Sequence, residues 1–201
     1  DDRPRRATPW YRRRMRETVD AAVHKVVLRS LGERSEGNRT LFFVEMERDG
    51  LPVQTEGFAH DGAGVHRLTA GESGAGVIDP PMTMVSSPMR PGETRTWSGT
   101  ITVDERPHGA EATLKLLPRE PVLTPAGPFS AYRLESEFRF KAGTETTRVA
   151  TRQWLAPGVG LVKQETDDGS SRSSAVLVEF RPGKPGLAAK GQVKTDDKPI
   201  R

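Results

Sequence analysis

The run Ser130-Ala-Tyr-Arg-Leu-Glu-Ser-Glu-Phe-Arg-Phe-Lys141 decides the fold class, because its side chains alternate between two chemical kinds. One parity is mostly apolar and consists of Tyr132, Leu134, Ser136, Phe138 and Phe140. The other parity is charged and consists of Arg133, Glu135, Glu137, Arg139 and Lys141. Successive side chains of a strand point to opposite faces, so this pattern predicts a half-buried β-strand with one dry face and one wet face.

The same alternation recurs along the chain, and turn dipeptides separate the alternating segments. Asp49-Gly50, Asp61-Gly62 and Asp168-Gly169 are dipeptides typical of tight hairpins. The same alternation is found in the stretches Trp97 to Val103, Ala112 to Leu116, Phe42 to Met46 and Val176 to Phe180. Together they predict an all-β fold, an antiparallel open or half-closed barrel of about nine to eleven strands with little helix.

Two local details can be tested against a structure. A two-residue turn at Ala142-Gly143 would place Glu137 opposite Arg148 and pair opposite charges on the wet face. Residues 79–92 contain four prolines and three methionines, which predicts a loop rather than a central strand. Methionine is a common core filler, so these methionines are expected to plug one end of the core; contact with a hydrophobic ligand is the alternative.

Composition and length limit the possible classes of protein. A chain of 201 residues with 34% hydrophobic content fits one domain, and it lacks the apolar run that a transmembrane helix requires. With no cysteine, the chain has neither disulfides nor thiolate chemistry. It begins with Asp1-Asp2 rather than Met, so a removed secretory signal is one explanation and a trimmed terminus is the other.

The formal net charge of +4 comes from the two ends of the chain. Residues 1–16 carry seven arginines against two aspartates, whereas residues 17–180 are net acidic. This predicts a basic N-terminal arm (1–16), an antiparallel β domain (17–182) and a flexible basic C-terminal tail (183–201). The acidic middle argues against a nucleic-acid partner, because such folds concentrate positive charge on the folded surface.

A search for catalytic and metal-binding patterns gives little. Gly71-Glu-Ser-Gly-Ala75 departs from the nucleophile-elbow pattern at its fifth position, and no nucleotide-binding loop occurs. His60, Asp61 and His66 could form a metal site, but a four-residue turn would place the two rings on opposite faces. Glu135 and Glu137 fit a solvated salt-bridge face better than a buried acid and base pair. We therefore expect that the protein is not an enzyme and binds neither a metal nor a cofactor. A metal-dependent hydrolase stays as an alternative.

Three segments resemble a diffuse set of bacterial exported proteins of unknown function. They are Pro88-Met-Arg-Pro-Gly-Glu-Thr-Arg-Thr-Trp97, Val122-Leu-Thr-Pro-Ala-Gly-Pro-Phe-Ser-Ala-Tyr132 and Trp154-Leu-Ala-Pro-Gly-Val-Gly-Leu-Val-Lys163. The set is characterised by P-A-G-x-F followed by W-[YL]-A-P-G-V-G-x-V-K, and it is similar to the lipoprotein-carrier superfamily with its half-barrel fold. The resemblance implies the periplasm or cell envelope and implies no catalytic residue.

The leading hypothesis is a non-enzymatic envelope protein that binds an apolar ligand or lipid moiety on the concave face of its sheet. The candidate ligand-binding residues are Trp97, Ile101, Tyr132, Leu134, Phe138, Phe140 and Trp154. For Trp154, a structural role beside the Pro157-Gly158 turn is the stronger interpretation. The alternative function is an interaction or scaffold module whose basic arm docks to an acidic partner, such as an envelope protein, or to anionic lipid headgroups.

Overall fold

The computed structural model describes residues 11–70, 76–103, 106–142 and 145–182, and these residues form strands joined by short turns. The first six strands are β1 (Tyr11–Val19), β2 (Ala22–Glu36), β3 (Arg39–Arg48), β4 (Leu51–Asp61), β5 (Gly64–Ala70) and β6 (Gly76–Ser86). The next six are β7 (Thr94–Val103), β8 (Arg106–Thr124), β9 (Gly127–Ala142), β10 (Glu145–Ala156), β11 (Gly160–Asp167) and β12 (Arg172–Pro182). No helix that could cross a bilayer is found in these ranges.

Each strand pairs antiparallel with its neighbours in the chain, and β1 pairs with β12 to close the ring. The predicted fold class, an antiparallel all-β barrel with little helix, is thus confirmed. The described residues contain 12 strands, more than the nine to eleven expected, and the barrel is closed rather than open or half-closed. The closing strand β1 explains both differences, since most of it lies in the segment predicted to be an arm.

Residues 11–16 belong to β1 and not to a separate basic arm. Met15 is only 3% exposed whereas Arg16 is exposed, so this arginine-rich stretch alternates as a strand does. Arg14 pairs with Glu179 of β12 at 2.6 Å. The barrel therefore includes residues 11–16, which the prediction assigned to the arm, and its last described strand runs to residue 182. The remainder of the predicted arm, residues 1–10, and the predicted tail, 183–201, lie outside the described residues.

The apolar parity of β9 packs against the equivalent faces of β6, β7 and β8, as its alternation predicts. Leu134 and Leu114 are buried in this cluster, and Tyr132, Phe138 and Phe140 pack against it. A second buried cluster joins β1 and β2 to the β10–β12 region and includes Met15, Val26, Trp154, Val162 and Leu177. The tip of the β8–β9 hairpin contacts this second cluster, where the Ala126 N–H donates to the Leu177 carbonyl at 3.2 Å.

The proline- and methionine-containing segment departs from the prediction of a loop. Residues 79–86 belong to β6, which lies between β5 and β7. The prolines nevertheless interrupt the ladder, since β6 pairs with β7 only at Ile78–Ile101 and Asp79–Thr100. The methionines behave in part as core filler, because Met82 is buried and Met84 packs on the apolar cluster, while Met89 is exposed.

The register of the β9–β10 hairpin also differs from the prediction. Ala142 pairs with Glu145, so each residue of β9 lies opposite a residue of β10 two positions later than a turn at Ala142-Gly143 would give. Glu137 consequently lies opposite Ala150 instead of Arg148. Glu137 still reaches Arg148, diagonally across the two strands, at 2.6 Å. Long charged side chains can pair diagonally, and for this reason charge matching alone did not fix the register.

Candidate functional site

A cavity of about 630 Å³ lies inside the barrel, lined by side chains from ten strands. β1 to β6 contribute one part of the wall and β9 to β12 contribute the other. This volume falls within the roughly 300–1,000 Å³ that is usual for small-molecule sites. The cavity is therefore the concave feature best suited to hold a ligand within the described barrel.

The wall on β2 to β6 is mainly apolar. Phe42 and Phe58 stack with their ring centroids 5.3 Å apart, because they are direct cross-strand partners on the inner face. The remaining apolar residues on this wall are Val26, Leu28, Val44, Met46, Val65, Met84 and Val85. This wall offers dispersion and hydrophobic contacts to an apolar group.

The wall on β9 to β12 is half polar and half apolar, and the register of the sheet arranges its polar side chains in rows. One row runs through four hydroxyls that are successive cross-strand partners: Ser136, Thr151, Thr166 and Ser173. The neighbouring row contains Gln153 and Gln164, whose amides are hydrogen bonded at 2.9 Å. The Gln164 amide also donates to Thr166 at 3.3 Å. The cavity thus has an apolar wall and a hydroxyl- and amide-bearing wall.

Two ion pairs also line the cavity. Arg48 Nε donates to Glu17 Oε2 at 2.8 Å, and the Glu17 side chain is only 10% exposed. Arg67 pairs with Glu56, which also accepts a hydrogen bond from Gln54 at 2.9 Å. A carboxylate with so little exposure requires such a partner, because burying an unpaired charge is costly.

Six of the seven predicted ligand-binding residues lie in the apolar cluster beside the cavity. Ile101 and Leu134 are buried in this cluster, and Trp97, Tyr132, Phe138 and Phe140 pack against it. Trp97 stacks on Phe138 at 6.1 Å, and its Nε1 donates to the Pro80 carbonyl at 2.8 Å. Of these residues, Leu134 lines the cavity itself. That they contact a ligand stays a prediction.

Trp154, the seventh predicted residue, lies in the second apolar cluster and is 6% exposed. Its Nε1 donates to Glu120 Oε1 at 2.6 Å, which ties β10 to β8. Arg133 bonds the same carboxylate at 3.1 Å, and the Lys163 ammonium lies 4.4 Å from the centroid of the indole. This geometry favours the structural interpretation of Trp154 over a ligand-wall role.

The predicted arrangement of the two neighbouring histidines is confirmed. His60 pairs with Val65 and His66 pairs with Ala59, so the two rings lie on opposite faces of the β4–β5 hairpin. No group of three or more His, Asp or Glu side chains is placed to hold a metal ion in the ranges that the structure covers.

His66 instead makes two hydrogen bonds, to Asp61 through Nε2 and to Thr83 through Nδ1, each at 3.0 Å. The bond to His66 and a backbone N–H from Ala63 hold the pKa of the Asp61 carboxyl below its usual value. Thr83, His66 and Asp61 are therefore arranged like the nucleophile, the base and the carboxylate that orients the base in a catalytic triad. However, Thr83 is the ordinary cross-strand partner of His66, and neither residue lines the cavity. The arrangement therefore lies outside the lining of the cavity.

A polar outer groove of about 1050 Å³ is lined by charged side chains of the opposite parity, such as Glu137, Arg148 and Glu165, and it shares the hydroxyls of Ser136, Thr151, Thr166 and Ser173 with the cavity. Glu137 accepts from Arg148 and Arg139 there, and these bonds lower the pKa of Glu137. Glu165 has a lowered pKa because of Lys163 first and Arg152 second. A general acid needs a raised pKa, so these shifts agree with the interpretation of a solvated salt-bridge face.

Two arginines of β1, Arg13 and Arg14, have partners within the barrel. Arg13 Nε donates to the Val159 carbonyl at 2.6 Å, and its guanidinium lies 5.9 Å from the centroid of the Phe180 ring. Arg14 bonds Glu179, whose pKa is lowered by Arg181 and also by Arg14. This part of the predicted basic arm is therefore engaged in the fold.

Sequence reasoning missed the polar residues of the cavity, including Glu56, Arg67, Gln153 and Gln164. Alternation predicts that the polar residues of a strand lie on its solvated face, but the inner face of a barrel can also carry polar residues. One signal was available: Ser136 lies on the same parity as Leu134 and Phe138, which marked a polar position on the dry face.

Comparisons with known proteins agree with the fold. A family model described as DUF3108-like matches residues 113–177, which is less than half of the chain. A provisionally assigned lipoprotein from Parabacteroides distasonis is similar to this chain in structure, with a TM-score of 0.51 and 12% sequence identity. That match covers 88% of this chain and 96% of the other. No curated protein matches the sequence.

Two further solved structures are similar at lower scores. A provisionally assigned exported protein with a YmcC-like fold from Bacteroides fragilis has a TM-score of 0.46 and 14% identity, covering 86% of this chain and 95% of its own. The hypothetical lipoprotein YmcC from Escherichia coli has a TM-score of 0.41 and 10% identity, covering 87% and 86% respectively. The specific signature and the likeness to lipoprotein carriers stay predictions.

Proposed function

We propose that the protein is a non-enzymatic cell-envelope protein that holds a small amphipathic ligand, such as a single-chain lipid, inside its barrel. The cavity of about 630 Å³ is the observation that carries the proposal. Its apolar wall suits a hydrocarbon chain, and its rows of hydroxyls and amides suit a polar head group. The ligand position differs from the one expected from sequence, because the predicted aromatic cluster lies beside the cavity.

Two further observations support this proposal. The structurally similar protein from Parabacteroides distasonis is described as a lipoprotein, which favours an envelope location for this chain as well. The Asp61, His66 and Thr83 group lies outside the cavity lining, and the outer carboxylates Glu137 and Glu165 have lowered pKa values. Both features favour a binding role over a hydrolytic one.

The experiment is native mass spectrometry of the untagged protein, followed by solvent extraction and lipid analysis. We expect a species heavier than the 22.1 kDa chain that loses its adduct on extraction. Ala175 lines the cavity, so Ala175→Phe should fill part of the cavity and reduce the adduct at least several-fold. Ser174 is its neighbour on the other face, lining the outer groove, and Ser174→Phe is the matched control.

Thermal unfolding of both variants checks that each one folds. A wild-type protein that shows its bare mass and takes up no added single-chain lipid contradicts the proposal. Equal loss of the adduct in the two variants would contradict the assignment of the site to the interior of the barrel.

A further inference from the structure

The tip of the β8–β9 hairpin exposes a group of apolar side chains. Leu123 is 82% exposed, whereas its neighbours Val122 and Thr124 are buried. Pro128, the cross-strand partner of Leu123, is exposed beside it. The remaining exposed apolar residues of this tip are Pro121, Pro125 and Ala126. Apolar residues that are grouped on a surface, unlike scattered ones, mark a site of interaction.

The tip lies against the closing pair of strands. β11 pairs with residues 172–176 of β12. At the next residue of β12, the Leu177 carbonyl accepts a hydrogen bond from the Ala126 N–H of the tip at 3.2 Å. Val178 follows on β12 and is 37% exposed. The apolar tip is therefore next to the end of β12 and, through the pairing of β12 with β1, to the start of β1.

These adjoining strand ends are basic. Residues 11–14 of β1 and 179–182 of β12 contain four arginines and one carboxylate, that of Glu179. Glu179 pairs with Arg14 at 2.6 Å and also with Arg181. One carboxylate does not balance four guanidinium groups, so the strand ends carry a net positive charge beside the apolar tip.

The opposite end of the barrel has the opposite charge character. Because consecutive strands are antiparallel neighbours, the β1–β2, β3–β4 and β11–β12 turns all lie at that end. These three turns contain Asp20, Asp49 and Asp168 respectively, and none of the three contains a basic residue. An anionic surface would therefore attract the end that carries the apolar tip and repel the other end.

We propose that this end of the barrel docks on an anionic lipid surface, with Leu123 inserted among the lipids and the β1 and β12 arginines against the head groups. Buried apolar area and electrostatic attraction add in such interfacial binding. The size of the tip also favours lipid over a protein partner, because a stable protein interface engages roughly 20–30 residues on each side. The proposal goes beyond the proposed function, since it concerns the outer surface and does not depend on what the cavity binds.

The test is co-sedimentation of the untagged protein with vesicles of phosphatidylcholine alone and of phosphatidylcholine mixed with phosphatidylglycerol. We expect binding to the anionic vesicles that weakens as salt is added, and much weaker binding to the neutral ones. Leu123→Ser should weaken binding to the anionic vesicles by roughly tenfold, because the apolar side chain that leaves water is lost. Leu51→Ser is the matched control, since Leu51 is 69% exposed at the start of β4, at the opposite end.

The electrostatic part of the proposal is tested by a second pair of variants. Arg181→Gln should weaken binding to the anionic vesicles by about fivefold, which is the contribution of one basic residue near an anionic surface. Arg172→Gln should leave binding unchanged. Arg172 is also exposed and paired with a carboxylate, that of Asp167, but it lies at the opposite end of the barrel.

Insertion of the tip can be measured directly, because the chain has no cysteine. Leu123→Cys provides a single attachment point for an environment-sensitive fluorophore. On anionic vesicles the emission of this fluorophore should shift to shorter wavelength. The same fluorophore attached to Leu51→Cys should show no shift.

Several results would overturn the proposal. A wild type that binds neither kind of vesicle, or that binds both kinds equally well, contradicts it. Binding that Leu123→Ser and Arg181→Gln leave unchanged would assign the membrane contact to another part of the chain, such as residues 1–10. Equal emission shifts at positions 123 and 51 would exclude insertion of the tip. All four substituted side chains are exposed, and thermal unfolding of each variant checks that the barrel is intact.

Discussion

At the scale of single residues, Trp154 shows how one side chain can join several strands. Its indole N–H bonds Glu120 on β8, and Lys163 on β11 covers its ring. Arg133 on β9 bonds the same carboxylate of Glu120. Sequence patterns predicted the structural role from the adjacent Pro157-Gly158 turn, but the partners could not be predicted, because they come from separate hairpins.

Trp154→Phe should lower the free energy of unfolding by about 1–3 kcal/mol, because it removes a hydrogen bond to a charged group and reduces packing in a buried cluster. Urea unfolding followed by circular dichroism measures this loss. Trp97→Phe is the control, since the Trp97 indole bonds a carbonyl at an exposed position, and its loss should be smaller. A Trp154→Phe protein of unchanged stability but reduced ligand content would instead favour the ligand-wall role.

At the scale of strands and hairpins, sequence patterns predicted the features that depend on residues close together in the chain, such as turns and the alternation within a strand. The Asp49-Gly50 turn has positive φ at both residues, 52° and 89°, as the tight hairpin turn requires. The β9 alternation also places its apolar parity in the core. In β10, by contrast, Thr151 and Gln153 face the cavity while Trp154 lies in the other buried cluster. Polarity alone does not distinguish a solvated outer face from a polar interior.

The narrow junction between β6 and β7 depends on the absence of a side chain at Gly99. A Cβ added there would lie 2.7 Å from the Trp97 ring and 2.8 Å from Pro80 Cδ, and it would also meet the Asp79 carbonyl. Contacts this short force the backbone or the ring to move. Because only two residue pairs join these strands, a shift here separates much of their pairing.

Gly99→Ala should therefore destabilise the protein by about 1–3 kcal/mol. Gly109 is the matched control on the adjacent strand, since it pairs with Thr100 and a Cβ there would have no neighbour within 4 Å. Gly109→Ala should leave stability unchanged or raise it by roughly 0.5 kcal/mol, because alanine reduces the flexibility of the unfolded chain. If the two variants unfold at the same urea concentration, the junction between β6 and β7 tolerates the Cβ atom added at position 99.

At the scale of the whole molecule, closure of the barrel could not be predicted from local patterns. It depends on pairing between residues 11–19 and residues 173–182, which lie at opposite ends of the described chain. The arginines of β1 gave this segment the composition of a disordered arm. They are compatible with a strand because Arg14 is paired with Glu179 and Arg13 bonds the Val159 carbonyl.

Met15 provides the test of whether β1 is a structural strand or a dispensable arm. Its side chain is 3% exposed and belongs to the same cluster as Val26 on β2 and Leu177 on β12, so it packs at the point of closure. Met15→Ala should lower the free energy of unfolding by about 2–5 kcal/mol, through lost burial and the cavity left behind. Arg16→Ala, at the exposed neighbouring position, should change it by less than about 0.5 kcal/mol. If β1 were an arm, both substitutions would be equally harmless in urea unfolding, and the barrel would have to be stable without its closing strand.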